Sequence, residues 1–433
     1  MKKYDSYKDS GVEWIGEIPI HWEETRLRFV GDLFGGLTGK SGDDFKQDDN
    51  PNNKPYIPYT NIFRNTYISK EHVDYVVIES GENQNKVKKY DLFFLMSSET
   101  HQDLGKPCIL IDDVEELYLN SFCKGFRVKR EDVYPLFLNY QLLGGVHKEL
   151  ISIEGRGFTR INLRQDRLND TPILLPPLSE QQKIVSYLDT KTSLIDSLIE
   201  KTQRKIELLK ENRTSLINEV VTKGLNPNVE MKDSGVEWIG DIPSHWSLIK
   251  TYLISENLDG KRVPLNSEER GDVQGEIPYW GSGGIVDYIN KYIFDEELLL
   301  VGEDGSPFFD SYRDVSFYVN EKIWVNNHIH ILRSKKEKVL TKFLVHSFNS
   351  VDYKEYITGS TRDKLTQTDL NRITHPVPPL SEQEQIVSYL DEHTQLIDKT
   401  ISLEERRIEL LKEYRQSLIS EVVTGKRKVV KDE

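Results

Sequence analysis

The sequence predicts an α+β protein in which two mixed α/β inserts are separated by a long antiparallel two-helix coiled coil, with an internal pseudo-two-fold duplication. Three observations carry this expectation. DSGVEWIGEIPIHW at 9–22 returns as DSGVEWIGDIPSHW at 233–246. PPLSEQQKIVSYLD from Pro176 returns as PPLSEQEQIVSYLD from Pro378, and the likeness runs on to SLINEVVT and SLISEVVT. The stretches between these blocks, 23–158 and 247–360, share little. A constant frame around diverged inserts indicates one structural task performed twice and a separate demand on each insert.

The constant blocks read as helices. Ser179 with Gln182, and Ser381 with Glu384, have capping-box spacing, and Pro176, Pro177, Pro378 and Pro379 keep the incoming chain extended. Beyond them Ile184, Leu188, Ile195, Ile199, Ile206, Leu209, Leu216 and Val220 recur at three-four spacing, broken by Lys191, Thr202 and Arg213. The second seam is Ile386, Leu390, Ile397, Ile401, Ile408, Leu411, Leu418 and Val422. Gly224 and Gly425 suit helix ends. A helix from Ser179 to Lys223 would run about 65 Å, too long to bury its seam in one small domain, so each helix needs the other as partner. The resulting division is 1–170, 171–224, 225–372 and 373–433, alternating insert unit and spacer helix.

The inserts read as sheet with a few helices. In the first, YIPYTNIFRNTYI at 56–68, DLFFLMSSE at 91–99 and KPCILID at 106–112 are β-rich runs between turn residues. In the second, IPYWGSGGIVDYIN at 277–290, LLLVGEDGS at 298–306 and WVNNHIHIL at 324–332 play that part. Each insert closes with a related loop, where Thr159 and Arg160 correspond to Thr361 and Arg362. Arginine beside small residues approaches a phosphate or a guanine edge closely; equally, the threonine caps the next turn and the arginine pairs with a carboxylate.

Composition narrows the class. The 433 residues are 30% charged and 37% hydrophobic, with 16 Phe, 21 Tyr and 6 Trp, enough for packed domains. No apolar run follows MKKYDSYKDSG and none approaches a membrane span, so the expected location is the cytoplasm. Cys108 and Cys123 form neither a CxxC pair nor a zinc set. GGLTGKS at 35–41 imitates a phosphate loop, but the pattern needs glycine where Phe34 stands, which argues against nucleotide binding at Lys40 and Ser41. GSGGIV at 281–286 lacks the last glycine of a dinucleotide fingerprint, and His328 and His330 read as core or surface residues. No catalytic constellation is legible and no metal is expected. A net charge of -14 opposes bulk electrostatic gripping of nucleic acid.

With these motifs in view the chain resembles the DNA-specificity subunit of type I restriction-modification enzymes, along nearly its whole length. The resemblance rests on the duplicated G-x-I-P-x-H-W blocks, the PPLSEQ helices ending in EVVTKG or EVVTGK, and IPYWGSGGIVDYI followed by LLLVGEDGS. It implies that each insert is a target-recognition domain reading half of a bipartite asymmetric DNA target, and that the helices set the spacer and dock two methyltransferase subunits. Two restriction subunits would complete an adenine-specific methyltransferase and ATP-dependent deoxyribonuclease. This chain would be non-catalytic and bind no cofactor; S-adenosylmethionine, ATP and Mg would belong to the partners. It also answers the charge objection, since the partners share the electrostatic work. Candidate DNA contacts are Tyr59, Asn61, Arg64, Arg156, Thr159, Arg160, Arg164 and Arg167 in the first half, and Lys261, Arg262, Trp280, Ser282, Thr361, Arg362 and Lys364 in the second. The alternative is an orphan DNA-binding or coiled-coil scaffold protein without a restriction role.

Overall fold

Both copies of the leading block fold into the same hairpin. Tyr7–Asp9 pairs antiparallel with Glu17–Pro19, and Met231–Asp233 with Asp241–Pro243. The turn needs glycine: Gly11 and Gly16 sit at φ +73° and +65°, and Gly235 and Gly240 at +69° and +67°, where a Cβ is strained. Just beyond, Glu23–Arg26 pairs with Pro172–Leu175, and Ser247–Lys250 with Thr374–Val377. Each insert therefore leaves and rejoins the frame through two adjacent strands, so its interior can change without moving its two ends.

The computed structural model describes residues 3–45, 49–157, 160–358 and 363–429, and the chain divides into Met1–Glu200 with Arg407–Glu433, and Lys201–Arg406. In the first unit a five-stranded sheet runs in the order Gly31–Gly35, Cys123–Val128, Leu92–Leu95, Pro107–Leu110, Tyr67–Ile68. All its pairs are antiparallel except the last. Its central strand, Leu92–Leu95, is buried at every position, as expected of a strand covered on both faces. A smaller sheet joins Tyr118–Leu119, Asn53–Ile57 and Asp74–Val77. The run 56–68, expected to be strand, is interrupted by a helix at Tyr59–Arg64, because Pro58 starts a turn whose carbonyl accepts from Asn61 and Ile62.

In the second unit six strands lie in the order Ser255–Asn257, Ile329–Ser334, Phe294–Gly302, Ser316–Val325, Gln274–Gly281, Gly284–Ile289. The fold class is thus α+β. Among the described residues no helix is long and apolar enough to cross a membrane.

The two long helices span Leu178–Lys223 and Leu380–Val423. They begin one residue before the expected serines: Pro177 O accepts from Glu180 and Gln181, and Pro379 O from Glu382 and Gln383. The prolines are therefore the caps, and Ser179 and Ser381 lie in the first turn. Gly224 follows the first helix at φ +76°.

Every seam position is buried or half-buried. In the first unit Ile184, Leu188 and Ile195 share a core with Leu418 and Val422, flanked by Ile199 and Leu411. In the second, Leu216 and Val220 meet Ile386 and Leu390. Ile206, Ile401 and Ile408 are buried, and Leu209 and Ile397 are half-buried. The ion pairs give the direction in the second unit: Lys205 meets Glu404 at 2.5 Å and Arg213 meets Asp398 at 2.9 Å, so the partner recedes as the first helix advances. Thr202, read as a break, is buried in the seam, since a short hydroxyl side chain fits a helix contact.

Candidate nucleic-acid interface

The repeated blocks converge on two residues of the PPLSEQ motif in each unit. His21 Nε2 lies 2.8 Å from Glu180 Oε2, while the Trp22 indole N–H and the Tyr4 hydroxyl both donate to Glu180 Oε1. In the second unit His245 and Trp246 reach Glu382 Oε2 at 2.9 and 3.1 Å. The next residue works on the backbone. Gln181 is fully buried, accepts from Tyr134 N–H and donates to Asp132 O and Pro176 O. Gln383 likewise accepts from Leu340 N–H and donates to Lys338 O and Pro378 O. These frame residues were missed as determinants, although their signal, E-Q repeated in identical contexts, was present in the sequence.

In the first insert the strand ends gather several candidates. Tyr59 is half-buried and donates to Ser97 O at 3.0 Å; burial raises its hydroxyl pKa and the nearby Arg160 charge opposes the rise. Ser97 pairs with Asn162, so the loop carrying Arg160 ends beside it. Arg160 is exposed, its guanidinium 5.8 Å from the centre of the Phe122 ring. On the other side Tyr59 stacks on Phe63 with centroids 6.5 Å apart, and Lys106 Nζ lies 5.6 Å from that ring and donates to Phe63 O. Burial lowers the Lys106 pKa. The edge thus carries Lys106, Phe63, Tyr59, Arg160 and Phe122, interleaved cations and rings of the kind that meet bases and phosphates. Phe63, Lys106 and Phe122 lie far apart in sequence, which hid them.

The other first-half residues are placed differently. Arg64 is exposed at the end of its helix. Asn61 spends its amide on His72 O at 3.0 Å. Arg156 donates to Ile153 O and Gly155 O, Arg164 pairs with Asp166 at 2.8 Å, and Arg167 pairs with Glu154 at 3.5 Å. Thr159 lies outside the described residues.

In the second insert, Arg262 Nη1 pairs with Glu303 and donates to Ile329 O at 3.1 Å, while Lys364 reaches the other Glu303 oxygen at 3.1 Å. His330 joins this cluster, with Nδ1 2.6 Å from Asp259 and Nε2 2.9 Å from Leu365 O. Asp259, Glu303 and His330 lie close enough to share an ion. Two cations already neutralise Glu303, however, and both ring nitrogens of His330 are engaged, so the cluster serves as a buried brace. Burial opposes ionisation of Glu303 and Asp259, yet Arg262 and His330 respectively hold them below the ordinary carboxylate range. The sequence around His330 contains no acidic pair; the fold supplies one. Trp280, 9% exposed, packs into the sheet core against Phe317, Ser282 O accepts from the Ser306 hydroxyl, and Lys261 is exposed. Thr361 and Arg362 lie outside the described residues. Lys40, of the imitation phosphate loop, pairs with Glu82 at 2.6 Å, and the Ser41 N–H donates to Asp44.

Comparison with known proteins places this geometry in context. Residues 19–208 and 255–413 match the family model described as type I restriction modification DNA specificity domain. A putative type I restriction enzyme specificity subunit of Haemophilus influenzae is 37% identical over 143 residues, 33% of this chain and 36% of that protein. The putative MjaX specificity subunit of Methanocaldococcus jannaschii is 28% identical over 444 residues, covering 96% of each. Among solved structures, the HsdS subunit from Thermoanaerobacter tengcongensis shares 16% identity at a TM-score of 0.52, covering 95% of this chain and 98% of that one. A chain from work on assembly and conformational transition of the type I R-M system reaches a TM-score of 0.68 at 16% identity, covering 94% and 98%. At this identity the structural likeness establishes a shared fold.

Proposed function

The chain belongs to the type I restriction-modification DNA specificity family as a non-catalytic specificity subunit, and from that premise we propose that its two inserts each read one half of a bipartite, asymmetric DNA target. Residues 1–170 and 225–372 are the recognition domains. Residues 171–224 and 373–433 supply two helices that pair antiparallel as a coiled-coil spacer, related by the pseudo-two-fold of the duplication, and dock two methyltransferase subunits. Double-stranded DNA is the ligand, S-adenosylmethionine, ATP and Mg act in the partner subunits, two restriction subunits complete the assembly, and the complex works in the cytoplasm.

The observation that carries the reading is the contrast between frame and insert. The leading block and the PPLSEQ helix are locked together by the same Trp and His contacts to glutamate in each unit, while the strands between them follow different orders. Such a construction keeps the mounting constant and varies what is mounted. The DNA contacts proposed for the first domain are Arg64, Arg156, Arg160 and Arg164 with Tyr59 and Asn61, and for the second Lys261, Lys364 and Ser282, joined by Thr159, Thr361 and Arg362 of the closing loops. Trp280 and Arg262, expected from the sequence as contacts, instead build the domain that carries them.

The test is co-expression with the methyltransferase subunits followed by sequencing of methylated bases. One interrupted asymmetric motif is expected, and the purified chain alone should show no turnover. Methylation spread over unrelated sites would overturn the reading.

A further inference from the structure

In the first insert one aromatic ring is pinned by its backbone and left uncovered. Phe122 lies in the turn leading into Cys123–Val128, where its N–H donates to Asn120 Oδ1 at 2.9 Å and the Cys123 N–H to Asn120 O at 3.2 Å. The Asn120 N–H in turn donates to Ile57 O at 3.1 Å, tying this turn to the strand that precedes Tyr59. The backbone is fixed, yet the Phe122 side chain is 57% exposed. A ring that buries so little surface adds little to folding, so a fixed backbone that presents it to the outside favours a role in contact with another group.

Arg160 reaches that ring from a second, independently closed loop. Arg156 and Asn162 exchange backbone N–H to O bonds at 3.1 and 2.9 Å, and Asn162 Nδ2 donates to Arg160 O at 3.2 Å. Gly157, at φ +136°, sits so close that a Cβ there would lie 2.0 Å from Arg160 O. Only glycine permits this closure. Among the described residues no carboxylate is paired with Arg160, whereas Arg164 is held by Asp166 and Arg262 by Glu303 and Asp259. A cation over an aromatic face is attracted to it, and the Arg160 guanidinium, 5.8 Å from the Phe122 ring centre, can offer its planar N–H fork to O6 and N7 of guanine. A lysine there would keep the charge and lose the fork.

Resting on the function proposed above, we infer that Phe122 is a positioning residue for specificity: its ring holds the Arg160 guanidinium so that it reads one guanine of the first half-site.

The experiment uses the full chain in complex with its methyltransferase subunits, with methylated-base sequencing as the readout. The wild-type complex first defines both half-sites; a wild type without a discrete motif would sink the proposed function itself rather than this inference. Phe122→Ala, Phe122→Leu and Arg160→Lys should each relax the same single position of the first half-site, with roughly a tenfold fall in preference for guanine. Phe122→Tyr should keep the parental motif. The second half-site and the salt dependence of binding should stay as in wild type, because no phosphate contact is lost. An unchanged motif in Phe122→Leu, or a uniform loss of methylation at every position, would overturn the inference.

Discussion

Trp246 donates its indole N–H to Glu382 at 3.1 Å, across 136 residues of intervening chain. Trp22 makes the corresponding contact to Glu180 at 3.4 Å. Each tryptophan is 1% exposed, so its N–H has no water to fall back on, and the glutamate that satisfies it stands in the first turn of a long helix. The insert is thereby fastened at its start to the helix that follows its end.

Glu382→Ala should therefore cost about 1–3 kcal/mol, the range for a hydrogen bond to a charged acceptor whose partner is left buried. Urea unfolding of the full chain should show the loss, with Trp246 fluorescence shifting toward longer wavelength. Glu382→Gln keeps one acceptor and should lose less.

Gln383→Ala should be more damaging. It strands Leu340 N–H and the carbonyls of Lys338 and Pro378 at once, a cost of roughly 3 kcal/mol. Amide exchange at Leu340 should accelerate; unchanged protection there would contradict the role. Gln181→Ala should act in the same way on Tyr134.

By contrast, the bidentate pair of Arg415 with Asp196, at 2.9 and 3.2 Å, should contribute little, because Asp196 is 52% exposed. A double-mutant cycle with Asp196→Ala and Arg415→Ala should return a coupling of about 0.5–1 kcal/mol, decreasing with salt.

Acid should weaken the fold through buried histidines. Burial pushes His375 down to about 3 and His147 down to about 4, His147 Nε2 lying 3.0 Å from Pro172 O, while the unfolded chain protonates near the ordinary value of about 6.5. Between those limits the unfolded state binds more protons, so this contribution is present above pH about 6.5 and is lost progressively as pH falls toward the folded values. Thermal melts at falling pH should show the decline, and His375→Gln should flatten it. His375 bonds to the Thr251 and Ser347 hydroxyls, so the variant should start from a lower melting temperature at neutral pH.

Removing one matched heptad from both long helices keeps the seam in phase and shortens each by about 10 Å, or about three base pairs of DNA. The methylated motif should keep both half-sites and lose about that much spacer. Altered half-sites would contradict the proposed division of labour.

The amino-acid sequence by itself determined the helices, their seams and the constant frame. These are local or repetitive properties: three-four spacing places Ile184, Leu188 and Ile195 on one face whatever surrounds them, and a copied block adopts the same hairpin twice. The α+β class followed from the same periodicities. Only the tertiary structure decided what the isolated side chains do. Trp280 turned into the core, Arg262 and Lys364 were drawn onto Glu303, and Pro58 converted part of an aromatic run from strand to helix. Phe63, Lys106 and Phe122 became neighbours of Tyr59 and Arg160 because strands distant in sequence end at the same edge. Spacing along the chain records which face of an element is apolar. It does not record which strand ends meet, because that depends on pairings whose partners lie tens to hundreds of residues away.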